Sequence, residues 1–216
     1  LSEGAVDRRQ LARDGGLKTE RWPRTGRRQE RVGAVLARRQ PDLTVIVENV
    51  HDPHNVSAVL RSCDAVGVLR LHTVYTEEER PEAFARTTSA SAAKWIEVVH
   101  HETVAGCYEA LRNDGFIVAA TAVRPDSTDL FDFDLTRPVA LVFGNEQRGA
   151  SDEAVATADA RLVIPMMGMV QSLNISVACA VTLYEALRQR RAVGMYGQPK
   201  LTAAALAEIE TAWLER

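Results

Sequence analysis

The chain has 216 residues, 46% of them hydrophobic, which suits one α/β domain with a sizeable buried core. Three cysteines, far apart and without a C-x-x-C pair, exclude a disulfide framework and fit buried thiols in a reducing, cytoplasmic setting. The net charge of −3 argues by itself mildly against nucleic acid, yet residues 1–40 hold eleven Lys or Arg against five Asp or Glu, and the remainder 15 against 24. A basic arm on an acidic body points to a polyanion partner; a solvated helix face is the competing reading.

Residues 1–26 carry Gly15, Gly16, Pro23 and Gly26 among charges and read as a flexible basic extension. "LSEGAVDRRQLARDGG" has no apolar core, so no secretory leader is expected, and the longest apolar-rich run, "GFIVAATAV", is too short to span a bilayer. Residues 27–216 read as the domain proper. "RRQERVGAVLARRQ" is an Arg-rich helix ended by Pro41. "LTVIVEN" (43–49) is a short, β-branched, buried strand. "HNVSAVLRSCDAVG" follows as a helix, with Asn55 as its expected N-cap, Val56, Val59, Leu60, Cys63 and Val66 at helical spacing, and Gly67 as its stop. "LHTVYT" is a second strand, and "EEERPEAFARTTSASAAK" reads as a short helix and a loop.

"WIEVV", "GFIVAATAV" and "VALVFG" are further strands, with a helix at "ETVAGCYEALRND" between the first two. "SDEAVATA" opens a helix on a Ser cap and an acidic first turn, and "ARLVIP" is the last strand. "NISVACAVTLYEALRQRR" is a long helix with an Arg-rich end that Gly194 can cap, and "LTAAALAEIETAWLER" is the final helix. Strands alternating with helices predict a mostly parallel sheet covered on both faces. Ligands of such sheets bind at the carboxyl ends of strands, so the informative stretches are those just after strands.

Three stretches qualify. In "ENVHDPHNVSAVLR", His51, Asp52, His54 and Cys63 suggest a metal site, but no second pair follows at zinc-finger spacing and Cys63 falls in the apolar stripe, so no metal is expected. Arg61 lies two turns into the helix, roughly 9 Å along its axis. It has Ala58 and Ala65 beside it and can lean back toward the strand ends to meet a phosphate. The alternative is a surface Arg paired with Asp64. "FGNEQRGAS" is neither a Walker loop nor G-x-G-x-x-G, but its two glycines allow backbone to approach a ligand closely. "IPMMGMVQSLNISVA" is an apolar loop rich in methionine, suited to a flat apolar ligand such as an adenine ring, or else buried under neighbouring structure; Ser172 and Asn174 then open the helix as cap candidates.

Together these stretches resemble the three signature motifs of the SPOUT class of RNA methyltransferases, in its SpoU/TrmH branch. The first is matched by Asn55 and Arg61, and the second by Phe143, Gly144, Glu146 and Gly149. Ile164, Pro165, Met166, Gly168, Ser172, Leu173, Asn174, Ser176 and Val177 match the third. The likeness covers roughly residues 27–216. Its tail, "GMYGQPKL", is most similar to members acting on tRNA guanosine. The resemblance implies a parallel sheet with a deep trefoil knot in the C-terminal half, a homodimer with catalytic residues near the interface, and S-adenosyl-methionine (SAM) as methyl donor. It maps SAM contacts to Thr121, Gly144, Ile164, Met166, Ser172 and Leu173. It implies 2′-O-methylation of guanosine 18 in the tRNA D-loop; the alternatives are a ribosomal RNA or another tRNA position, or an RNA-binding homologue without catalysis. No DNA or membrane partner is implied.

By the same resemblance Arg61 would deprotonate the ribose 2′-OH. Free Arg stays protonated far above neutral pH, so the competing assignment lets Arg61 hold phosphate or polarise the hydroxyl while Glu146 or His54 handles the proton. Asn55 would orient Arg61 or the ribose, and Ser172 and Asn174 would position Arg61 or the SAM carboxylate. Arg24, Arg27, Arg28, Arg31 and Arg38 of the arm, His54, and Arg188, Arg190 and Arg191 of the tail would contact tRNA.

Overall fold

A computed structural model describes residues 26–76 and 92–216. The expected basic extension with Arg24, and residues 77–91 of the expected helix and loop after the second strand, lie outside the described residues. Among the described residues six helices and seven strands follow one another: α1 (Gly26–Leu36), β1 (Leu43–Glu48), α2 (Pro53–Val66), β2 (Arg70–Val74), β3 (Glu97–His101), α3 (Val104–Asn113), β4 (Ile117–Thr121), β5 (Thr128–Asp129), β6 (Val139–Phe143), α4 (Asp152–Thr157), β7 (Ala160–Val163), α5 (Ile175–Ala192) and α6 (Ala203–Glu215). The strands form one sheet in the order β3-β2-β1-β6-β4-β7-β5, and every pairing is parallel. The expected strands are all present; β5 went unpredicted because two residues carry no period to read.

Alternation along the strands divides the core. Leu43, Val45 and Val47 of β1, with Val139, Leu141 and Phe143 of β6, face α2 and α5, where Val56, Val59, Cys63, Cys179 and Leu183 are buried against them. Ile46, Ala140 and Val142 face the other way, onto Val104, Cys107, Tyr108 and Leu111 of α3 and Ala154 and Val155 of α4. Each such aliphatic side chain contributes about 1.5–3 kcal/mol by leaving water, which keeps the two central strands as the most firmly held part of the sheet. A third cluster joins the ends of the chain: Val32 and Leu36 of α1 meet Trp213 and Leu214 of α6, and the buried Arg39 guanidinium lies 4.9 Å from the Trp213 ring centre. All three cysteines are buried, as expected.

Two expectations are corrected. Helix α2 starts at Pro53, capped by Asp52, whose carboxylate accepts from the His54 N–H at 2.8 Å; Asn55 therefore lies inside the first turn and does not cap it. Arg190 is not available to RNA. Its side chain is fully buried. Its five N–H donors are spent on Leu135 O, Gln40 Oε1, Asp42 Oδ1, Asp42 O and Arg137 O, at 2.6–3.2 Å. Lys200 reaches the other Asp42 oxygen at 2.5 Å. This knot of polar contacts ties the C-terminal end of α5 to the start of β1 and to the segment before β6.

Arg27, Arg28, Arg31 and Arg38 are exposed, as are Arg188 and Arg191. Arg188 is paired with Glu185 at 2.7 Å. No described helix is long and apolar enough to cross a membrane.

Candidate functional site

The strand order reverses direction between β1 and β6. The chain leaves β1 toward α2 on one face and leaves β6 toward α4 on the other, so a crevice opens at their carboxyl ends. Three loops close around it. After β1, Asn49 takes a left-handed backbone (φ 50°), which Asn tolerates better than most side chains. Its side chain holds Thr76 twice, accepting from the backbone N–H at 3.0 Å and donating to Oγ1 at 3.2 Å. Its carbonyl accepts from Asn145 Nδ2 at 2.9 Å, which ties the β1 loop to the β6 loop.

The loop after β6 is a tight turn. Asn145 Oδ1 accepts from the Gln147 N–H at 2.8 Å, and the Asn145 carbonyl accepts from the N–H of Gly149, which sits at φ 74°. A Cβ on Gly144 would overlap the backbone of Gly149 and Ala150, so only glycine permits this fold-back. Glu48, 2% exposed at the end of β1, accepts from the Ser151 N–H at 2.8 Å and so fixes the far end of the turn, where Ser151 caps α4.

Between this turn and the loop after β7 lies a cavity of about 400 Å³. Thr121, Gly144, Ile164, Met166, Ser172 and Leu173, the six residues singled out as cofactor contacts, all line it, together with Glu146. Its volume is that of a site for a drug-sized ligand. The methionine-rich loop is only partly what was expected: Met166 lines the cavity, whereas Met167 and Met169 are 95% and 98% exposed.

A chain of side-chain hydrogen bonds joins all three motifs at the rim. Asn174 Nδ2 donates to Asn55 Oδ1 at 3.2 Å, and Asn55 Nδ2 donates to Glu146 Oε1 at 2.9 Å. Asn174 is the N-cap of α5, its Oδ1 accepting from the N–H and the hydroxyl of Ser176. Asn55, 8% exposed, is thus the bridge between the two loops. Among the described residues Glu146 Oε2 has no donor, which leaves a carboxylate oxygen open at the cavity wall.

Arg61 is exposed and, among the described residues, makes no hydrogen bond or ion pair. The alternative, pairing with Asp64, does not form: Asp64 is held instead by Arg39 at 2.5 Å. Neither Arg61 nor Asn55 nor Asn174 is part of the cavity lining itself, and His54 is exposed on the first turn of α2. His51, Asp52, His54 and Cys63 do not converge as ligands; among the described residues the only His, Cys, Asp or Glu atoms grouped at ligating range belong to His72, His101 and Cys107. The residues that sequence reading passed over are Glu48, Asn49 and Asn145, which hold the loops rather than line the cavity. The one signal for them was their position, immediately at the ends of two buried strands.

Residues 42–184 match the family described as the SpoU rRNA Methylase family. The chain is 47% identical over 193 residues to a tRNA (guanosine(18)-2′-O)-methyltransferase of Thermus thermophilus, covering 89% of this chain and 98% of that one. Its structure is similar to the crystal structure of the A. aeolicus TrmH/SpoU tRNA modifying enzyme, with a TM-score of 0.80 and 39% identity, covering 88% of this chain and 95% of that one. It is also similar to the SpoU methyltransferase AviRb from Streptomyces viridochromogenes in complex with the cofactor AdoMet, with a TM-score of 0.62 and 30% identity over 71% of this chain and 60% of that one. The chain belongs to the SpoU methylase family, and its parallel sheet is the knotted SPOUT fold of that family.

Proposed function

We propose that the chain is a SAM-dependent tRNA methyltransferase acting on the ribose 2′-OH of guanosine 18 in the D-loop. The observation that carries this reading is the hydrogen-bonded chain Asn174–Asn55–Glu146 at the rim of a cavity lined by the six expected cofactor contacts. Close identity to relatives named for that activity supports the substrate. The cavity suits SAM. It offers apolar walls from Ile164, Met166 and Leu173, polar atoms from Thr121 and Ser172, and bare backbone at Gly144, where a Cβ has no room.

When bound, SAM supplies an electrophilic methyl group on its sulfonium. The chain must then present the 2′-oxygen to it and remove one proton. Glu146 is the better acceptor: it lines the cavity, Asn55 holds one of its oxygens, and the other has no donor among the described residues. Arg61 is exposed and unpaired among the described residues, so its work is to bind the phosphate next to the target ribose through the planar guanidinium fork. His54 and the exposed Arg27, Arg28, Arg31, Arg38, Arg188 and Arg191 would add contacts to the RNA, and the basic segment 1–26 with Arg24 would extend them.

Arg61 is outside the cavity lining of its own chain, and Val177 and Tyr184, seven residues apart on one face of α5, are 46% and 54% exposed. Both features suit a homodimer in which α5 meets a second copy near the sites. The test is labelled methyl transfer from SAM to unmodified tRNA transcripts and, in parallel, to ribosomal RNA. Transfer to tRNA is expected. Transfer to ribosomal RNA alone, or to neither, overturns the assignment.

A further inference from the structure

We propose that His72, His101 and Cys107 form a binding site for a borderline-soft divalent cation of the zinc type, at the edge of the sheet away from the methyl-transfer cavity. β2 and β3 pair in parallel with His72 opposite Val99 and Val74 opposite His101, so both histidines face the same side of the sheet. That side is covered by α3, whose Cys107 is fully buried. His72 Nδ1 and His101 Nε2 are 2.9 Å apart, and one nitrogen from each ring and the Cys107 sulfur all lie within 4.8 Å of one another. A tetrahedral zinc ion with bonds of about 2.0–2.3 Å needs its nitrogens roughly 3.3 Å apart and its sulfur somewhat further. The three ligands therefore need only ångström-scale adjustment.

The donor set suits the ion. Two imidazoles and a thiolate are ligands zinc and cobalt prefer over calcium or magnesium. His72 is 6% exposed, and a neutral imidazole offers a ring lone pair to a metal. The hydrogen bond between the rings carries one proton on one of the facing nitrogens. A tautomer change moves that proton to an outer ring nitrogen, so the histidines bind without losing charge balance. The Cys107 thiol gives up its proton to solvent as the sulfur–metal bond forms. Of the three ligands His72 alone borders a cavity of about 570 Å³, with Arg70, Glu97 and Asp114 on its walls. The opposing arrangement is a buried histidine pair with a packed thiol and no affinity for metal.

Cobalt(II) titration of the full chain decides between them. Saturable uptake of one ion per chain is expected, with the visible bands of tetrahedral cobalt and a near-ultraviolet thiolate-to-cobalt charge-transfer band that zinc abolishes by displacement. Cys107→Ser should remove the charge-transfer band and weaken binding at least tenfold; Cys63→Ser should leave both intact. Because Cys107 is fully buried, His101→Ala, at the half-buried end of β3, is the second variant, and it too should lose at least tenfold in affinity. Zinc should raise the melting temperature of the parent chain and not of His101→Ala. Uptake that does not saturate, or a charge-transfer band that persists in Cys107→Ser, overturns the proposal.

Discussion

Replacing Arg190 by Met separates a structural arginine from an RNA-binding one. Methionine keeps much of the volume and removes all five donors. Leu135 O and Arg137 O lose their Arg190 donor, each a loss of about 1 kcal/mol, whereas Asp42 O keeps the Val139 N–H at 3.0 Å. Gln40 Oε1 and Asp42 Oδ1 also lose a donor, although Asp42 keeps Lys200 at 2.5 Å. Part of the loss is offset because a buried cation no longer has to be desolvated. The net is about 3–5 kcal/mol, the range for breaking one partner of a buried pair. At roughly 2–4 °C per kcal/mol for a chain of this size, the melting temperature should fall by about 6–20 °C. Differential scanning calorimetry measures it, and the salt dependence of tRNA affinity at a temperature where both proteins are folded provides the control. A melting temperature within about 2 °C of the parent, together with a shallower salt slope for tRNA, would refute the assignment and return Arg190 to the RNA interface.

Further outcomes follow from the site. Gly144→Ala should weaken SAM binding at least tenfold by calorimetry, since the new Cβ must push the Gly149–Ala150 backbone out of the cavity wall; unchanged affinity would mean that the loop has room. Arg61→Ala should reduce kcat by at least about 100-fold while SAM affinity stays within about twofold, because the side chain is outside the cavity; equal loss of SAM binding would contradict the phosphate role. Asn55→Ala should reduce turnover by about 10- to 100-fold, by releasing Glu146 and Asn174, with a stability loss of about 1–2 kcal/mol read from urea melts. Burial alone would raise the Asp42 pKa, but hydrogen bonds and ion pairs with Lys200 and Arg190 outweigh it and hold the carboxyl below its ordinary 3.8. The stabilisation is therefore complete above that value and lost as pH falls through the lower folded one, so Asp42→Asn should flatten the acid limb of the melting curve.

Most of the sheet was legible because its strands are short β-branched runs bounded by turn residues, as in Leu43–Glu48 and Val139–Phe143. Asn55 differs from its expected role because the helix starts earlier, at Pro53, than its first apolar positions suggest. Asp52 followed by Pro53 is itself a start signal, with an acceptor before a proline at the first helical position. Moving the cap back places Asn55 inside the helix and frees its amide for Glu146 and Asn174. Arg190 was misread because it stands in an Arg-rich helix end, although it continues the stripe of Cys179, Leu183 and Ala186, all of them fully buried. Five of the six cavity residues lie in the family motifs and Thr121 follows from the wider family resemblance; none is legible from periodicity. Loop geometry at Asn49 and Asn145, and the meeting of His72 with His101 and Cys107, depend on pairings across the sheet that no local pattern reports.

The central claim is that the Asn174–Asn55–Glu146 rim directs a methyl group onto one ribose oxygen. Mass-spectrometric mapping of a tRNA transcript after incubation with SAM tests it most directly, run beside a ligated transcript carrying 2′-deoxyguanosine at position 18. The account predicts 2′-O-methylguanosine at position 18 in the first and no methylation in the second. A methyl group on a base atom, or one that persists in the deoxy transcript, would contradict it.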